Sequence, residues 1–286
     1  MRQFGLIGYP LGHSFSAKYF GEKFAKEGID AVYRLYEIAP TWFQVSGCRF
    51  LADGDECVPG HFTAGETPAS PVDECVPGHG GVIEQVRLLD GFNVTSPYKE
   101  AVIPYLDALD ETARAVGAVN VVAREGDRWI GYNTDCIGFR EDIQEFDNLP
   151  ISGVQALVLG TGGAAKAVTY ALRKLNIPYT MVSRTPEVRR FGETMVINYE
   201  ALRKEIMDEY RLIINCTPVG MGEYQNECPR IPYQWLSCRH FLYDCIYNPS
   251  ETLFLQRGKE QGAHTRNGIG MLTHQADAAW RIWSKN

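Results

Sequence analysis

The feature that most restricts the fold is a series of secondary-structure signals between residues 155 and 185. An apolar segment at 155–159 predicts a buried strand, the glycine-rich segment 160–165 a tight turn, and the helical apolar spacing of 166–175 a helix. A second strand is predicted at 178–182. This order is typical of a dinucleotide-binding unit, because glycines let backbone N–H groups approach a pyrophosphate at the helix N-terminus. The stretch therefore predicts a Rossmann-type domain.

The end of the second predicted strand indicates which dinucleotide binds. An NAD site typically has an acidic residue about 20 residues after the glycines, where it binds the ribose 2′-hydroxyl. Here that place holds Ser183, Arg184 and Thr185, and the first acid is Glu187. A guanidinium pairs with the 2′-phosphate that an acid would repel. The sequence predicts NADP, and the alternative is that Arg184 is a solvated side chain at a strand end.

The rest of the chain predicts an α/β protein with two domains. Apolar strands alternate with helical segments, which favours largely parallel sheets. A length of 286 residues is enough for two domains with a core each. Helical patterns are predicted over 101–109 and over 199–210, and a polar hairpin turn over 124–128.

Composition argues against several classes of function. The net charge is −7 with neutral histidines and no basic stretch is present, so we expect no nucleic-acid partner. The N-terminal apolar run is cut short at Pro10, so we expect neither a signal peptide nor a membrane span. The eight cysteines are unevenly spaced, which favours reduced thiols in the cytoplasm.

Residues 47–81 contain a repeat that follows no pattern of a helix or strand. The heptapeptide Asp-Glu-Cys-Val-Pro-Gly-His occurs at 55–61 and again at 73–79, with glycine, proline, serine and threonine between the copies. Each copy places a cysteine, Cys57 or Cys75, four residues before a histidine, a spacing that suits a zinc site. The alternative is a duplicated insertion without a site. We expect an insertion that binds no metal.

Three places outside the glycine turn carry candidate chemistry. Ser14 and Ser16 lie two residues apart in a loop, where both hydroxyls can bind a polyol or simply cap the next helix. Lys99 follows a strand that Pro97 ends, and Asp135 ends another strand near the expected domain border. A lysine and a carboxylate can together transfer a proton to or from a reacting oxygen. The alternative is that each is a solvated charge.

The motifs, taken together, resemble those of the shikimate dehydrogenase family. The resemblance covers nearly the whole chain except roughly residues 45–82. Its departures from the family pattern include Ala17, Tyr19 and Phe20 after the serine loop, and Ser96 after Thr95. The matching segments, in chain order, are 8–16, 93–99, 117–120, 131–135, 160–165, 215–221 and 267–272 followed by Gln275.

The resemblance implies a reversible reduction of 3-dehydroshikimate to shikimate with NADPH, in the pathway to aromatic amino acids. It also implies a substrate-binding domain of residues 1–134 plus 268–286, which contains the insertion, and an NADP-binding domain of residues 135–267. The active site is expected in a cleft between these two α/β domains.

The resemblance assigns roles by position in these motifs. The expected catalytic pair is Lys99 and Asp135, and no metal ligand is implied. The substrate-binding positions are Ser14, Ser16, Thr95, Lys99, Asn120, Asp135, Tyr247 and Gln275. The cofactor-binding positions are Gly160, Thr161, Gly162, Gly163, Ala164, Ser183, Arg184, Thr185, Thr217, Met221 and Gly268.

Other functions remain open from the sequence. A quinate or dual quinate/shikimate dehydrogenase shares these motifs, and methylenetetrahydrofolate dehydrogenase has a similar architecture. A non-catalytic NADP-binding regulator on the same fold is the alternative from another class, although it would have no need of Lys99 and Asp135. In each case we expect a small-molecule ligand and a monomer or homodimer.

Overall fold

The computed structural model describes residues 1–12, 15–40, 86–186 and 195–285. Ser14 and the repeat-containing insertion at 47–81 lie outside the described residues, so the predictions for them stay predictions. Among the helices that the structure does describe, none has the length and apolar character needed to cross a membrane.

The chain divides into two compact units. The first comprises Met1–Arg114, Val119–Tyr132 and Arg281–Asn286, and the second comprises Ala115–Ala118 and Asn133–Trp280. Most of the last helix therefore packs with the second unit, whereas the functional division predicted from the sequence groups that helix with the substrate domain. The functional division stays a prediction.

The sheet of the first unit has the strand order β2-β1-β3-β5-β6-β4. Strands β1, β2 and β3 run parallel, β4 runs parallel to β6, and the hairpin of β5 and β6 pairs antiparallel with itself and with β3. The predicted hairpin turn is therefore confirmed. The strands are β1 (Arg2–Gly8), β2 (Ala31–Glu37), β3 (Gly91–Val94), β4 (Ala108–Leu109), β5 (Val121–Glu125) and β6 (Arg128–Tyr132).

The helices in this part of the chain are short after the first one. They are α1 (Phe15–Glu27), α2 (Tyr98–Ala101) and α3 (Glu111–Val116), with a 3₁₀ turn at Ile103–Tyr105. The helix predicted over 101–109 is wrong. Pro104 lies in the 3₁₀ turn, and a proline there cannot donate the backbone hydrogen bond that a continuing α-helix requires. The chain then extends into the short strand β4.

An aromatic cluster covers part of the first sheet and includes a side chain from the C-terminus. The ring of Trp283 stacks on Phe4, with 4.8 Å between centroids, and Phe20 stacks on Tyr33 at 4.7 Å. The indole Nε1 of Trp283 donates to the carbonyl of Val122 at 3.0 Å. Trp283 fits only because residue 91 is glycine: a Cβ there would lie 2.4 Å from Nε1. The last residues of the chain are thereby fixed to the first sheet.

The second unit contains the predicted Rossmann-type sheet. Its strand order is β12-β11-β10-β7-β8-β9, and neighbouring strands pair in parallel. Strand β7 is buried on both faces, as expected of a central parallel strand. The strands are β7 (Ala156–Leu159), β8 (Tyr179–Val182), β9 (Val196–Ile197), β10 (Leu212–Asn215), β11 (Phe241–Asp244) and β12 (His264–Arg266).

The helices of this sheet are α4 (Asp135–Gln144), α5 (Gly163–Lys174), α6 (Lys204–Glu209), α7 (Leu253–Glu260) and α8 (Ile269–Trp283). The continuous helix predicted over 199–210 is wrong. A 3₁₀ turn forms first, because the side chain of Asn198 accepts a hydrogen bond from the Ala201 N–H at 2.9 Å. The chain leaves helical geometry at Leu202, whose side chain is buried in the core, before α6 begins.

Candidate active site

The glycine turn links β7 to α5 as predicted. Gly160 has φ +102°, in the region that favours glycine, and a Cβ there would lie 3.0 Å from the Thr217 methyl carbon. The turn therefore passes closely beside the loop after β10. Gly162 precedes α5, whose first turn no described side chain caps, so its backbone N–H groups are suited to bind an anion. These features fit the pyrophosphate of a dinucleotide.

The end of β8 has the residues expected to read the 2′-phosphate. Ser183 is buried, and its Oγ accepts a hydrogen bond from the Thr185 N–H at 3.2 Å, which shapes the turn. The side chain of Arg184 is exposed. Burial raises the pKa of Tyr199 to about 12, and the positive charge of Arg184 opposes that rise, so the guanidinium lies near the phenol. An exposed cation at this strand end fits a phosphate rather than a ribose hydroxyl.

A buried polar pair connects the ends of β10 and β11. Asn215 and Asp244 are register partners, and the Asn215 Nδ2 donates to Asp244 Oδ1 at 3.0 Å. The Asn215 Oδ1 accepts from both the N–H of Thr217, at 3.1 Å, and its hydroxyl, at 2.7 Å. Asp244 also accepts from the Ile246 N–H at 3.0 Å and from the Thr252 hydroxyl at 2.6 Å. Neither Asp244 nor Thr252 was predicted from the sequence.

The loops after β10, β11 and β12 carry the other predicted cofactor residues of this unit. Met221 is exposed, and Gly220 before it has φ +116°. Gly268 is buried and donates its N–H to the carbonyl of Ile246 at 3.1 Å. A Cβ on Gly268 would lie 2.3 Å from the Cys245 carbonyl oxygen, so the backbone segments touch here. These loops lie at carboxyl strand ends, where ligands bind in parallel sheets.

Tyr247, a predicted substrate residue, follows β11 in one of these loops. Its side chain is half-buried, and burial raises the pKa of its phenol. The phenol therefore stays protonated at neutral pH and can donate a hydrogen bond to a ligand.

Asp135 and Gln275 lie in neighbouring parts of the second unit. Asp135 is the first residue of α4, and both it and Gln275 are almost fully buried. Thr134, directly before Asp135, donates from its hydroxyl to the Gln275 Oε1 at 3.4 Å. The Gln275 Nε2 donates to the carbonyl of Leu272 in its own helix at 3.0 Å. The structure thus brings together two residues that are 140 positions apart in sequence.

Helices α4 and α8 approach closely at two glycines. A Cβ on Gly138 would lie 2.4 Å from the Met271 carbonyl oxygen and 2.9 Å from the Gln275 Cβ. A Cβ on Gly270 would lie 1.8 Å from the Asp142 Oδ1. The positions of Asp135 and Gln275 relative to each other therefore depend on this packing, since each residue lies on one of the two helices.

Asp142 joins α4 to two strands. Its carboxylate is fully buried and accepts from the Tyr243 hydroxyl at 2.5 Å and from the Arg266 Nε at 2.9 Å. The Arg266 guanidinium also contacts Glu145 at 3.2 Å. Asp142, Glu145 and His274 place ligand-type atoms within 4.8 Å of one another. However, the guanidinium of Arg266 already bonds to both carboxylates, so we interpret the group as an ion-pair cluster.

In the first unit, backbone hydrogen bonds bring together the segments that carry Thr95, Lys99 and Asn120. The Thr95 carbonyl accepts from the Tyr98 N–H at 2.9 Å, which starts the turn before Lys99. The Lys99 carbonyl accepts from the Val119 N–H at 2.7 Å, directly before Asn120. Lys99 and Thr95 are half-buried, and Asn120 is buried.

Asn93 and Tyr33 link Ser16 to this group, and neither residue was assigned a role from the sequence. The Tyr33 hydroxyl donates to the Asn93 Oδ1 at 2.7 Å, and the Asn93 Nδ2 donates to the Asn120 carbonyl at 3.2 Å. Ser16 hydrogen-bonds to the same phenol, whose pKa is raised by burial. No local sequence pattern indicates this role of Tyr33. It lies near Asn93 only because β1 brings β2 and β3 into one sheet.

Comparisons with known proteins agree on one family. A model described as the shikimate dehydrogenase substrate binding domain matches residues 68–122. The shikimate dehydrogenase (NADP(+)) of Geobacillus kaustophilus is 33% identical over 98% of this chain and 92% of the relative. The enzyme of the same name from Shouchella clausii is 34% identical over 99% of this chain and 93% of the relative.

Solved structures agree with the sequence comparisons. The crystal structure of shikimate 5-dehydrogenase from Thermus thermophilus, in complex with NADP(H) and shikimate, superposes with a TM-score of 0.77 at 28% identity. The superposition covers 100% of this chain and 94% of that chain.

Proposed function

This chain belongs to the shikimate dehydrogenase family, and on that premise we propose that it reduces 3-dehydroshikimate to shikimate, reversibly, with NADP as the cofactor. The reaction is a step of aromatic amino acid biosynthesis. The observation that carries the proposal is the glycine turn before α5 with Arg184 at the end of β8, in a chain that matches NADP-dependent relatives over almost its whole length. It is therefore an oxidoreductase that acts on a CH–OH group.

The second unit supplies the cofactor contacts. The N–H groups at the start of α5 bind the pyrophosphate, and Arg184 pairs with the 2′-phosphate. Thr217, Met221 and Gly268, in the loops at the carboxyl strand ends, would supply further contacts to the cofactor. When bound, NADPH supplies the hydride that the ketone carbon receives.

The substrate is a small ring with hydroxyl groups and a carboxylate, so it requires hydrogen-bonding side chains. The hydroxyl of Thr95 and the amides of Asn120 and Gln275 offer such groups, and Tyr247 donates from its phenol. Ser16 is held by Tyr33. Ser14, outside the described residues, is proposed for the same role by its motif alone.

Lys99 and Asp135 manage the proton. When the ketone becomes an alcohol, its oxygen gains negative charge as the carbon receives the hydride, so a proton must arrive there. The Lys99 ammonium gives that proton to the oxygen and regains one from water. The Asp135 carboxylate, set at the start of α4, is the second member of the proposed pair.

The test is NADP⁺ reduction followed by absorbance with shikimate and with quinate side by side, each with NADP⁺ or NAD⁺. We expect turnover with shikimate and NADP⁺. Faster turnover with quinate at equal concentrations would instead indicate a quinate or dual-specificity enzyme. Tight NADP⁺ binding by calorimetry without turnover on either acid would favour a non-catalytic regulator.

The expectation of a cytoplasmic location and that of a monomer or homodimer stay predictions. Gel filtration with light scattering would determine the oligomeric state.

A further inference from the structure

Asp244 has no part in the proposed chemistry, and yet it lies at the centre of the network behind the cofactor loop. It is fully buried at the end of β11, and its three described hydrogen-bond donors are neutral: the Asn215 amide, the Ile246 N–H and the Thr252 hydroxyl. In the part of the chain that the structure describes, no cation bonds to this carboxylate.

We propose that Asp244 is a positioning residue for NADP binding, which holds Thr217 in place through Asn215. This inference rests on the proposed function, because it takes Thr217 to be a cofactor contact. Asn215 is fixed on one side by its bond to Asp244. On the other side it accepts from both the N–H and the hydroxyl of Thr217, so its orientation sets that of Thr217.

The loop is held from a second direction as well. The Asn215 Nδ2 also donates to the Val219 carbonyl at 3.1 Å, and the Val219 N–H donates to the Thr217 hydroxyl at 3.2 Å. The methyl carbon of Thr252 would lie 3.2 Å from a Cβ on Gly220, so the side chain that donates to Asp244 also packs against the loop. Asp244 therefore orients Asn215 on one side of residues 217–220 and Thr252 on the other.

A stabilising effect on the fold does not explain why an aspartate occupies position 244. Burial raises the pKa of Asp244 to about 6, against the effect of its three hydrogen bonds, which means that its charged form is unfavourable in the folded protein. Near neutral pH a buried charge without a cation destabilises the fold. What the Asp244 carboxylate does in this structure is orient Asn215, Thr252 and the loop that they contact.

The experiment compares two substitutions at this position with a control in the same strand. Asp244→Ala removes the acceptor for all three donors. Asp244→Asn keeps the shape, since its amide oxygen accepts from the two N–H groups and its NH₂ donates to the Thr252 hydroxyl. Leu242→Val, a buried core substitution in β11, controls for a general loss of stability.

The readouts are the Kd for NADP⁺ by calorimetry, without substrate, and the separate KM values for NADP⁺ and shikimate. Asp244→Ala should weaken NADP⁺ binding roughly 10-fold or more and leave the shikimate KM within about 3-fold. Asp244→Asn and Leu242→Val should both bind NADP⁺ within about 3-fold of wild type.

Several results would overturn the proposal. One is an unchanged NADP⁺ Kd in folded Asp244→Ala, and another is an equal loss in Asp244→Asn, which would mean that the charge itself matters. If Asp244→Ala does not fold, Thr252→Val removes one donor, and an unchanged Kd in that variant counts against the proposal. A wild-type protein that binds NADP⁺ but does not oxidise shikimate contradicts the proposed function alone, because the calorimetric comparison still stands.

Discussion

Two buried aspartates of the second unit lie in opposite electrostatic surroundings. Asp142, in helix α4, contacts the Arg266 guanidinium through two nitrogen atoms and also accepts from Tyr243. Asp244, at the end of β11, accepts from neutral donors, and burial raises its pKa to about 6. Burial alone therefore does not define the role of a carboxylate: Asp142 neutralises a cation, and Asp244 orients polar groups around a loop.

The largest expected effect is at Asp135, which lies on the same helix as Asp142. Substitutions at these two positions test whether one residue of α4 serves catalysis while the other serves stability. Asp135→Asn should lower kcat by roughly 10²–10⁴-fold, and so should Lys99→Ala, because each removes a member of the proton-transfer pair. The unfolding free energy of Asp135→Asn should change little. Steady-state kinetics and urea denaturation provide the two measurements.

The double variant sharpens this test. If Lys99 and Asp135 act as a unit, the double variant should be little slower than the slower single variant. A Lys99→Ala enzyme with kcat within a few-fold of wild type, when product release does not limit the rate, would contradict the assignment.

Asp142→Ala should have the largest effect on stability. It leaves Arg266 without its buried partner, a change that typically lowers the unfolding free energy by about 3–5 kcal/mol. We expect a value near the lower end, since the Arg266 side chain is 25% exposed and keeps its contact with Glu145. Urea denaturation measures it, with Tyr243→Phe as a milder control that removes one hydrogen bond. A loss below about 1 kcal/mol would contradict the ion-pair interpretation.

The pH dependence of stability should separate Asp244 from Asp142. The folded-state pKa of Asp244, about 6, lies above its ordinary value of 3.8, so the folded protein holds this proton more tightly. The stability that this residue contributes is present below pH 3.8 and is lost as the pH rises through about 6. Relative to wild type, Asp244→Asn should therefore gain stability with rising pH, by about 3 kcal/mol over the whole window.

Two nearby groups do not interfere with that titration. The Cys245 thiol and the Tyr233 phenol both have raised pKa values, the first mainly through its hydrogen bond with Cys216 and the second through burial, so both stay neutral near pH 6. Denaturation of wild type, Asp244→Asn and Leu242→Val at several pH values tests the prediction. A constant difference between wild type and Asp244→Asn would show that Asp244 does not titrate in this window.

The smallest expected effect concerns two arginines of the same unit, Arg184 and Arg266. Arg266 is bound to the buried carboxylate of Asp142, whereas Arg184 is exposed at the end of β8. Arg184→Ala should weaken NADP⁺ binding roughly 10–150-fold, through loss of a charge-assisted contact of about 1.5–3 kcal/mol, and leave NAD⁺ use and stability nearly unchanged. Equal losses with both cofactors would mean that Arg184 has a structural role.

The sequence predicted the features that depend on neighbouring residues. The glycine turn, Arg184 and the order of strands and helices in the second unit follow from local patterns, and the structure contains them. Breaks within elements were harder to predict: Pro104 ends a helical pattern, and Asn198 forms a turn ahead of α6. The missing backbone N–H of Pro104 and the side-chain hydrogen bond of Asn198 prevailed over apolar spacing.

Contacts between distant residues could not be predicted in this way. Asp142 meets Tyr243 and Arg266 across 101 and 124 positions, and no spacing rule connects them. The bond between Asn215 and Asp244 requires knowledge that β10 and β11 are neighbours in register. Lys99 and Asp135 were identified by their motifs, and their catalytic roles remain proposals.

Gly91 and Trp283 depend on each other in the packing of the first sheet. The missing side chain of one residue is the space that the indole of the other fills, so a Cβ at position 91 has no room while the tryptophan is present. Gly91→Ala and Trp283→Leu should each disturb the first sheet, whereas together they should be less harmful than the sum of the two. A C-terminal truncation that removes Trp283 would leave a cavity against the first sheet, although the residues lost are far from most of that sheet in sequence.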